Sequence, residues 1–197
     1  MRLVIGLGNP GERYASTRHN VAWRVLEELS QRWKLATDVS VAGLYQALRG
    51  RVAGEPVELM RPQTYMNASG EALERWVHQH EDHAPEHLLV VSDDVYLPVG
   101  ALRLRARGSS GGHRGLESIE ASLGHRDFAR LRVGVGAADR SAELKEHVLE
   151  SFGAEEEPVV KEIVQRAADA VELWVREGID RAMNRFNRRT RKEVSEP

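Results

Sequence analysis

MRLVIGLGNPGERYASTRHN, residues 1–20, decides the fold class of this chain. An apolar run, Leu3 to Leu7, feeds a glycine-rich turn, Gly6 to Gly11, and His19 and Asn20 stand just before an amphipathic stretch. From Val21 onward the apolar residues keep helical spacing, with Val21, Val25, Leu29 and Trp33 on one face and Ala22 and Leu26 beside it. Strand, tight turn and polar helix entry are how α/β proteins build sites at the carboxyl ends of their strands. The segment therefore reads as the floor of a site.

Taken literally, Gly6-x-Gly8-x-x-Gly11 is also the dinucleotide-binding fingerprint. That fingerprint needs a helix to begin within the glycines, so that free N–H groups meet the pyrophosphate. Here Asn9-Pro10-Gly11 fills the slot and favours a turn. An acid ending a second strand about 20 residues on is also required, yet Glu27 and Glu28 lie inside the helical pattern. The mismatch argues against a nucleotide cofactor.

The rest of the chain alternates in the same way. Strands are predicted over 3–7, 39–51, 57–60, 88–92, 101–107 and 131–136, and helices over 20–33, 68–80, 116–123, 158–176 and 179–188. Residues 88–91 are all apolar, as a strand covered on both faces should be. This order predicts an α/β fold: a single layered domain, 1–190, with a twisted mixed β-sheet flanked by helices. A polar tail, 191–197, is expected to be disordered.

A chain of 197 residues can bury a sizeable core without staples, and with no cysteine it has neither disulfides nor thiolate metal ligands. No apolar run is long enough for a membrane span. Gly8-Asn9-Pro10 interrupts the N-terminal apolar stretch before it can form a secretory signal, so a cytoplasmic location is expected. The net charge of −2 argues against polyanion binding over the whole surface. Arginine is nevertheless clustered. Arg103, Arg105 and Arg107 share one strand face, Arg130 and Arg132 another, and Arg181, Arg185, Arg188, Arg189, Arg191 and Lys192 crowd the C-terminus. A charge run is usually a solvated face, but same-face arginines beside a site make a phosphate track.

Several residues could carry chemistry. His19 precedes a helix whose positive dipole end disfavours imidazolium, so a neutral ring, fit to act as a general base, is expected. Such a base needs a carboxylate to hold its tautomer, and Asp93, at the end of the buried strand, leads the candidates. Asp94 is next, although neighbouring side chains at a strand end point to opposite faces; an ordinary Asp-Asp surface turn is the competing reading. Asn67 is either a helix N-cap or an amide projecting into the strand-end crevice. Gly108-Ser109-Ser110-Gly111-Gly112 matches the G-x-S-x-G nucleophile elbow, which raises a serine esterase using Ser110. That elbow should leave a buried strand, whereas Leu102-Arg103-Leu104-Arg105 alternates, and Asp139 with His147 would have to complete the triad. A loop over the site, rich in backbone N–H groups, fits better. His78, His80, His83 and His87 follow no metal-ligand pattern and read as solvated loop histidines, so no metal is expected.

Ordered blocks across nearly the whole chain carry a resemblance. They are Gly6-Leu7-Gly8-Asn9-Pro10-Gly11 with Tyr14 and Thr17-Arg18-His19-Asn20, then Arg61-Pro62-Gln63-Thr64-Tyr65-Met66-Asn67-Ala68-Ser69-Gly70. Next come Leu89-Val90-Val91-Ser92-Asp93-Asp94 running to Leu97-Pro98 and Gly100, then Gly111-Gly112-His113 with Gly115-Leu116, and finally Arg130-Leu131-Arg132-Val133-Gly134-Val135-Gly136. In these blocks the chain closely resembles the bacterial-type peptidyl-tRNA hydrolase family. The resemblance implies a cofactor-free, metal-free esterase that cuts between a peptide and the 3′-terminal ribose of tRNA, recycling tRNA from prematurely released chains. By that resemblance His19 activates water and Asp93 holds and polarises it. Asn9 contacts the peptide backbone and helps reject free aminoacyl-tRNA, and Asn67 binds near the scissile ester and assists the oxyanion. Tyr14 and Tyr65 line the site for the tRNA terminus, and Arg105 and Arg132 grip a tRNA phosphate. The expected partner is the acceptor end of peptidyl-tRNA, with no membrane, no obligate protein partner and a monomeric enzyme.

This chain departs from the family at three positions. Arg114 stands where the family usually has asparagine; arginine only donates, so any contact that needs an acceptor is not carried over. Ser92 and Tyr96 also replace residues that are commonly polar rings or acids. The other rival is a catalytically silent RNA-binding relative, against which the presence of both His19 and Asp93 argues.

Overall fold

Leu3, Val4 and Ile5 have no exposed face, so the strand they form, β1 (Arg2–Gly6), is buried on both sides as a parallel strand must be. In the computed structural model, which describes residues 1–80, 84–136 and 144–187, β1 lies between two parallel neighbours, β4 (Glu55–Pro62) and β5 (Leu88–Asp94). On the far side of β5 comes β7 (Ala129–Gly134), also parallel, edged by the antiparallel β6 (Leu102–Arg105). On the far side of β4, antiparallel β3 (Tyr45–Val52) and the two-residue β2 (Thr37–Asp38) complete a seven-stranded mixed sheet. The strand predicted over 39–51 is a strand only from Tyr45 onward, within β3, and β2 precedes the predicted span. The residues between them form a tight hairpin closed by the Val41–Tyr45 bridge, with Gly43 supplying a φ of 76°.

The period of two along each strand divides the core into two layers. Val4, Leu59, Val91, Leu131 and Val133 face α1 (Val21–Trp33), α5 (Glu157–Glu177) and α6 (Ile179–Phe186). Leu3, Ile5, Met60 and Val90 face α2 (Ser69–Gln79) and α3 (Arg114–Leu123). A short helix, α4 (Leu144–Leu149), lies against the turn that carries His19. No helix among the described residues is long and apolar enough to cross a membrane. The tail 191–197, His83, Asp139 and Arg188 lie outside the described residues.

The second layer also contains a buried acid. Glu58 in β4 accepts from Trp76 Nε1 at 2.8 Å and from Arg49 at 3.0 and 2.7 Å. His80 stacks on Trp76 with ring centroids 4.1 Å apart, donates from Nδ1 to the Trp76 carbonyl, and accepts from Arg49 through Nε2. His80 is therefore a packed residue closing α2, not a solvated loop histidine.

Candidate active site

The glycines after β1 serve close packing. A Cβ on Gly8 would meet the Trp23 ring at 2.6 Å, and one on Gly6 would meet Leu26 at 2.8 Å. Trp23 Nε1 donates to the Gly6 carbonyl at 2.9 Å, fastening α1 onto the turn. Beyond Gly11 the chain makes two single 3-10 turns, Glu12–Tyr14 and Arg18–Asn20, and α1 begins only at Val21. No helix N-terminus points into the glycines, and the dinucleotide reading fails for that reason.

A reciprocal amide pair holds the turn in shape. Asn9 N–H donates to Asn20 Oδ1 at 2.8 Å, and Asn20 Nδ2 donates back to the Asn9 carbonyl at 3.0 Å. Asn9 Oδ1 accepts from Met66 N–H at 2.8 Å, which leaves only its NH₂ group to meet a ligand. Next to His19, buried Arg18 forms a forked ion pair with Glu156 at 2.9 and 2.6 Å and donates to the Val135 carbonyl. His19 is thus fixed by bonds on both sides in the chain.

β5 continues through Asp94, two residues beyond the predicted end, and brings Asp93 under His19. His19 Nδ1 lies 2.7 Å from Asp93 Oδ1, and His113 Nε2 lies 2.8 Å from the same oxygen. His113 Nδ1 accepts the Gly115 and Leu116 N–H groups at the start of α3, so its proton sits on Nε2 and is donated to Asp93. His19 likewise donates from Nδ1, which leaves its Nε2 lone pair without a partner among the described residues. The His19 side chain keeps 14% exposure against 2% for Asp93, so the ring rather than the acid meets solvent.

Burial opposes charge on both members of this pair, and mutual attraction overcomes it in both. Asp93 would be raised by burial, but the two imidazoles hold its carboxyl far below the usual carboxylate range. His19 would be lowered by burial, but the charge and hydrogen bond of Asp93 raise it above the ordinary histidine value. The adjacent carboxylate, rather than the helix that starts two residues later, is thus the group that raises the basicity of His19. Asp94 is no competitor, because it accepts from Arg132 at 3.3 Å and from Tyr96 N–H at 2.8 Å.

A cavity of about 260 Å³ opens beside the pair, walled by His19, Asp93, His113, Gly111 and Gly112, with Leu144 and Val148 of α4 on one side. Asn9, Tyr14, Tyr65 and Asn67 do not wall it. Asn9 is tied to Asn20, the neighbour of His19, and to the backbone of Met66, which stands between Tyr65 and Asn67. Tyr65 is 58% exposed, and Tyr14 lies half-buried under the Arg13 guanidinium. Asn67 is exposed and caps nothing, since Ala68 is the N-cap of α2.

The Gly108–Gly112 loop is tied down by arginines. Arg132 donates to the carbonyls of Ser109 and Ser110 at 2.8 and 2.9 Å, and Arg130 reaches Ser109 as well. Arg130 is buried and ion-paired with Glu120, so it is not part of a solvent-facing phosphate track. Arg132 already has three acceptors, whereas Arg105, on the same sheet face, is exposed and without a partner among the described residues. Ser110 Oγ meets Glu117 Oε1 and Gly112 N–H, and His147 Nε2 donates to the Val135 and Gly136 carbonyls. No histidine among the described residues activates Ser110.

His19, Asp93 and His113 are also the one trio among the described residues with metal-ligand chemistry. A metal on all three, with bonds of about 2.0–2.2 Å, would spread the donor atoms to about 3.3 Å or more. The observed separations of 2.7 and 2.8 Å suit shared protons instead. His113 was missed by sequence reasoning as a second partner of Asp93, although Gly111-Gly112-His113 stood out as a block; its offset from Asp93 has no periodic signature.

Residues 3–194 match the family model described as Peptidyl-tRNA hydrolase. A peptidyl-tRNA hydrolase from Chloroflexus aggregans is 45% identical over 187 residues, 95% of this chain and 99% of that protein. Another from Roseiflexus castenholzii is 48% identical over 187 residues, 95% of this chain and 87% of its own. The crystal structure of peptidyl-tRNA hydrolase from Acinetobacter baumannii superposes with a TM-score of 0.88 at 32% identity, covering 95% of this chain and 94% of that one.

Proposed function

The chain belongs to the peptidyl-tRNA hydrolase family and is a hydrolase of peptidyl-tRNA, and we propose that the His19–Asp93–His113 cluster does the chemistry. The observation that carries this reading is the short His19–Asp93 bond, which fixes the proton of the neutral ring on Nδ1 and leaves Nε2 as its basic nitrogen, in a side chain on the wall of an open cavity. His19 Nε2 takes a proton from water, and the water oxygen attacks the ester carbonyl carbon. The resulting imidazolium is stabilised by Asp93, which stays ionised throughout. The tetrahedral intermediate then expels the 3′ oxygen of the ribose, and His19 returns the proton to it. His113 acts on Asp93, holding its Oδ1 in place.

Substrate contacts follow from what each side chain has left to offer. Asn9 presents only its NH₂, which a peptide carbonyl can accept. Free aminoacyl-tRNA offers an ammonium there, another donor, and is left unpaired. The Asn67 amide is free to donate to the developing oxyanion, and the exposed ring of Tyr65, with the half-buried ring of Tyr14, serves the tRNA terminus. Arg105 is the phosphate contact that its free guanidinium supports. Arg132 acts first by fixing the loop and Asp94, so its loss reaches the ester site as well as the RNA.

On this reading the enzyme is a monomer that needs neither cofactor nor metal and acts in the cytoplasm, where peptidyl-tRNA is made. The test is cleavage of N-acetyl-aminoacyl-tRNA by purified protein with and without chelator, alongside His19→Ala and Ser110→Ala. Chelator-resistant cleavage that needs His19 and tolerates Ser110→Ala is expected. Loss of turnover in Ser110→Ala alone would replace the scheme with the serine esterase.

A further inference from the structure

Arg18, His19 and Asn20 make up one 3-10 turn between the glycine loop and α1. Such a turn has few hydrogen bonds of its own and poor ones, so it cannot by itself fix a side chain closely. His19 sits in the middle of it, and its two neighbours hold it. Asn20 is tied to the glycine turn through Asn9. Arg18 reaches the other way, to Glu156 at the start of α5, a contact the reaction scheme leaves unused.

Stability alone does not account for the Arg18–Glu156 pair. Its side chains keep 9% and 25% exposure, and an ion pair taken this far out of water gains little over an apolar pair of the same volume. Arg18 Nε is buried without a partner among the described residues, a further cost of seating the guanidinium. What the pair achieves is geometric. The fork fixes the plane of the guanidinium, whose Nη1 also donates to the Val135 carbonyl at 3.0 Å. His147 of α4 donates to that same carbonyl at 3.2 Å, and Arg18 N–H donates to the Glu150 carbonyl, just past α4, at 2.9 Å. Glu156 is anchored in turn by the Gly153 N–H at 2.7 Å. The residue before the base is thus registered on the end of β7, the end of α4 and the start of α5 at once.

A neighbouring pair supplies the contrast. Arg24 forks onto Glu157 at 2.9, 3.1 and 3.2 Å, and the Arg18 and Arg24 guanidiniums both lie on the Phe152 ring, 4.7 and 5.3 Å from its centre. That second pair joins the same regions, but Arg24 belongs to the regular helix α1, and its members keep 28% and 46% exposure.

Resting on the reading that His19 is the base of a peptidyl-tRNA hydrolase, we propose that Arg18 and Glu156 are positioning residues for the reaction. They hold the turn so that His19 Nδ1 stays on Asp93 and Nε2 stays at the cavity. Neither touches the substrate, so their loss costs orientation rather than binding.

The experiment compares two double variants, Arg18→Met/Glu156→Gln and Arg24→Met/Glu157→Gln, on N-acetyl-aminoacyl-tRNA, with Tm measured for each. Both remove an ion pair without stranding a charge, and glutamine at 156 still accepts from the Gly153 N–H. Both should melt within a few degrees of wild type. Arg18→Met/Glu156→Gln is expected to lower kcat roughly ten- to a hundredfold with KM unchanged. Its rising limb of kcat/KM should move to lower pH, because a looser bond to Asp93 raises His19 less. Arg24→Met/Glu157→Gln should keep the wild-type kcat and limb. A wild-type kcat and limb in Arg18→Met/Glu156→Gln would overturn the proposal and leave the pair as packing. Equal losses in the two double variants would overturn it by tracing the effect to the contact of α1 with α5 in general. A change in KM alone would overturn it by moving the pair into tRNA binding. If Arg18→Met/Glu156→Gln does not fold, Glu156→Gln alone carries the test, and a wild-type kcat per folded enzyme overturns the proposal. A wild-type protein that does not cleave this substrate, or cleaves it equally well as His19→Ala, removes the proposed function and this role with it.

Discussion

Asp93 and Glu58 are both 1% exposed, in β5 and β4, the two strands that flank β1, and both accept more than one hydrogen bond. Glu58 lies midway along its strand and receives the Trp76 indole and the Arg49 guanidinium, neither of which changes charge near neutral pH. Asp93 lies at the carboxyl end of its strand and receives two imidazoles, one of them on the wall of a cavity. A buried carboxylate with permanent partners is a fixed element of packing. A buried carboxylate whose partner can gain and lose a proton in front of a cavity becomes machinery. The difference between the two acids is in the neighbours, and each prediction below tests it.

The largest effect is expected at the group that makes the difference. His19→Ala should lower kcat by about 10²–10⁴-fold, the usual worth of a general base, with binding of tRNA preserved in a gel or fluorescence titration. A residual rate within tenfold of wild type would remove His19 from the chemistry.

Asp93→Asn should cost somewhat less than this in kcat, and it carries a second readout. Asp93 raises the His19 pKa, and the base must be unprotonated, so wild-type kcat/KM should climb with pH through a value above the ordinary histidine pKa. Removing the charge lets burial dominate and lowers that pKa, so the rising limb should move to lower pH while the plateau drops. A limb that stays in place would show that Asp93 does not set the base.

Glu58→Gln should do the opposite. The acid keeps an acceptor for Trp76 but loses its charge toward Arg49, at a cost of about 1–3 kcal/mol of stability. Each kcal/mol should lower Tm by roughly 2–4 °C in a protein of this size, with kcat for peptidyl-tRNA unaltered. A drop in kcat at full stability would make Glu58 part of the site after all.

The arginines extend the comparison with the smallest effect. Arg130 is closed in by Glu120 and two backbone carbonyls, whereas Arg105 faces water. Arg105→Ala should raise KM for full-length peptidyl-tRNA severalfold and flatten its salt dependence by a little under one log unit per log unit. An N-acetyl-aminoacyl adenosine ester should feel much less of the change. Equal sensitivity of both substrates would move Arg105 into the ester site.

Much of the fold was legible because it is written in short periods. The apolar run of β1, the helical spacing of α1 and α5 and the apolar stretch of β5 each name their element locally. The His19–Asp93 pair was also within reach, because strand-end logic brings adjacent parallel strands to one rim. Other features had no local signal. Arg130 and Arg132 share a strand face by period, yet Glu120 of α3 claims one while loop carbonyls and Asp94 claim the other. His113 gained its role only when α3 set its ring against Asp93, and the region 39–51 hid a hairpin inside what reads as one extended strand.

The sequence by itself determined the alternation of strands and helices, the buried parallel centre and the residue types available at the carboxyl rim. Those depend on hydrophobic period and turn chemistry, which act over a few residues. Only the tertiary structure decided which carboxylate meets an imidazole, which arginine stays free and which histidine is packed on a tryptophan. Those outcomes are set by distances of about 3 Å between groups far apart in the chain, and by the burial that decides how strongly each charge is felt.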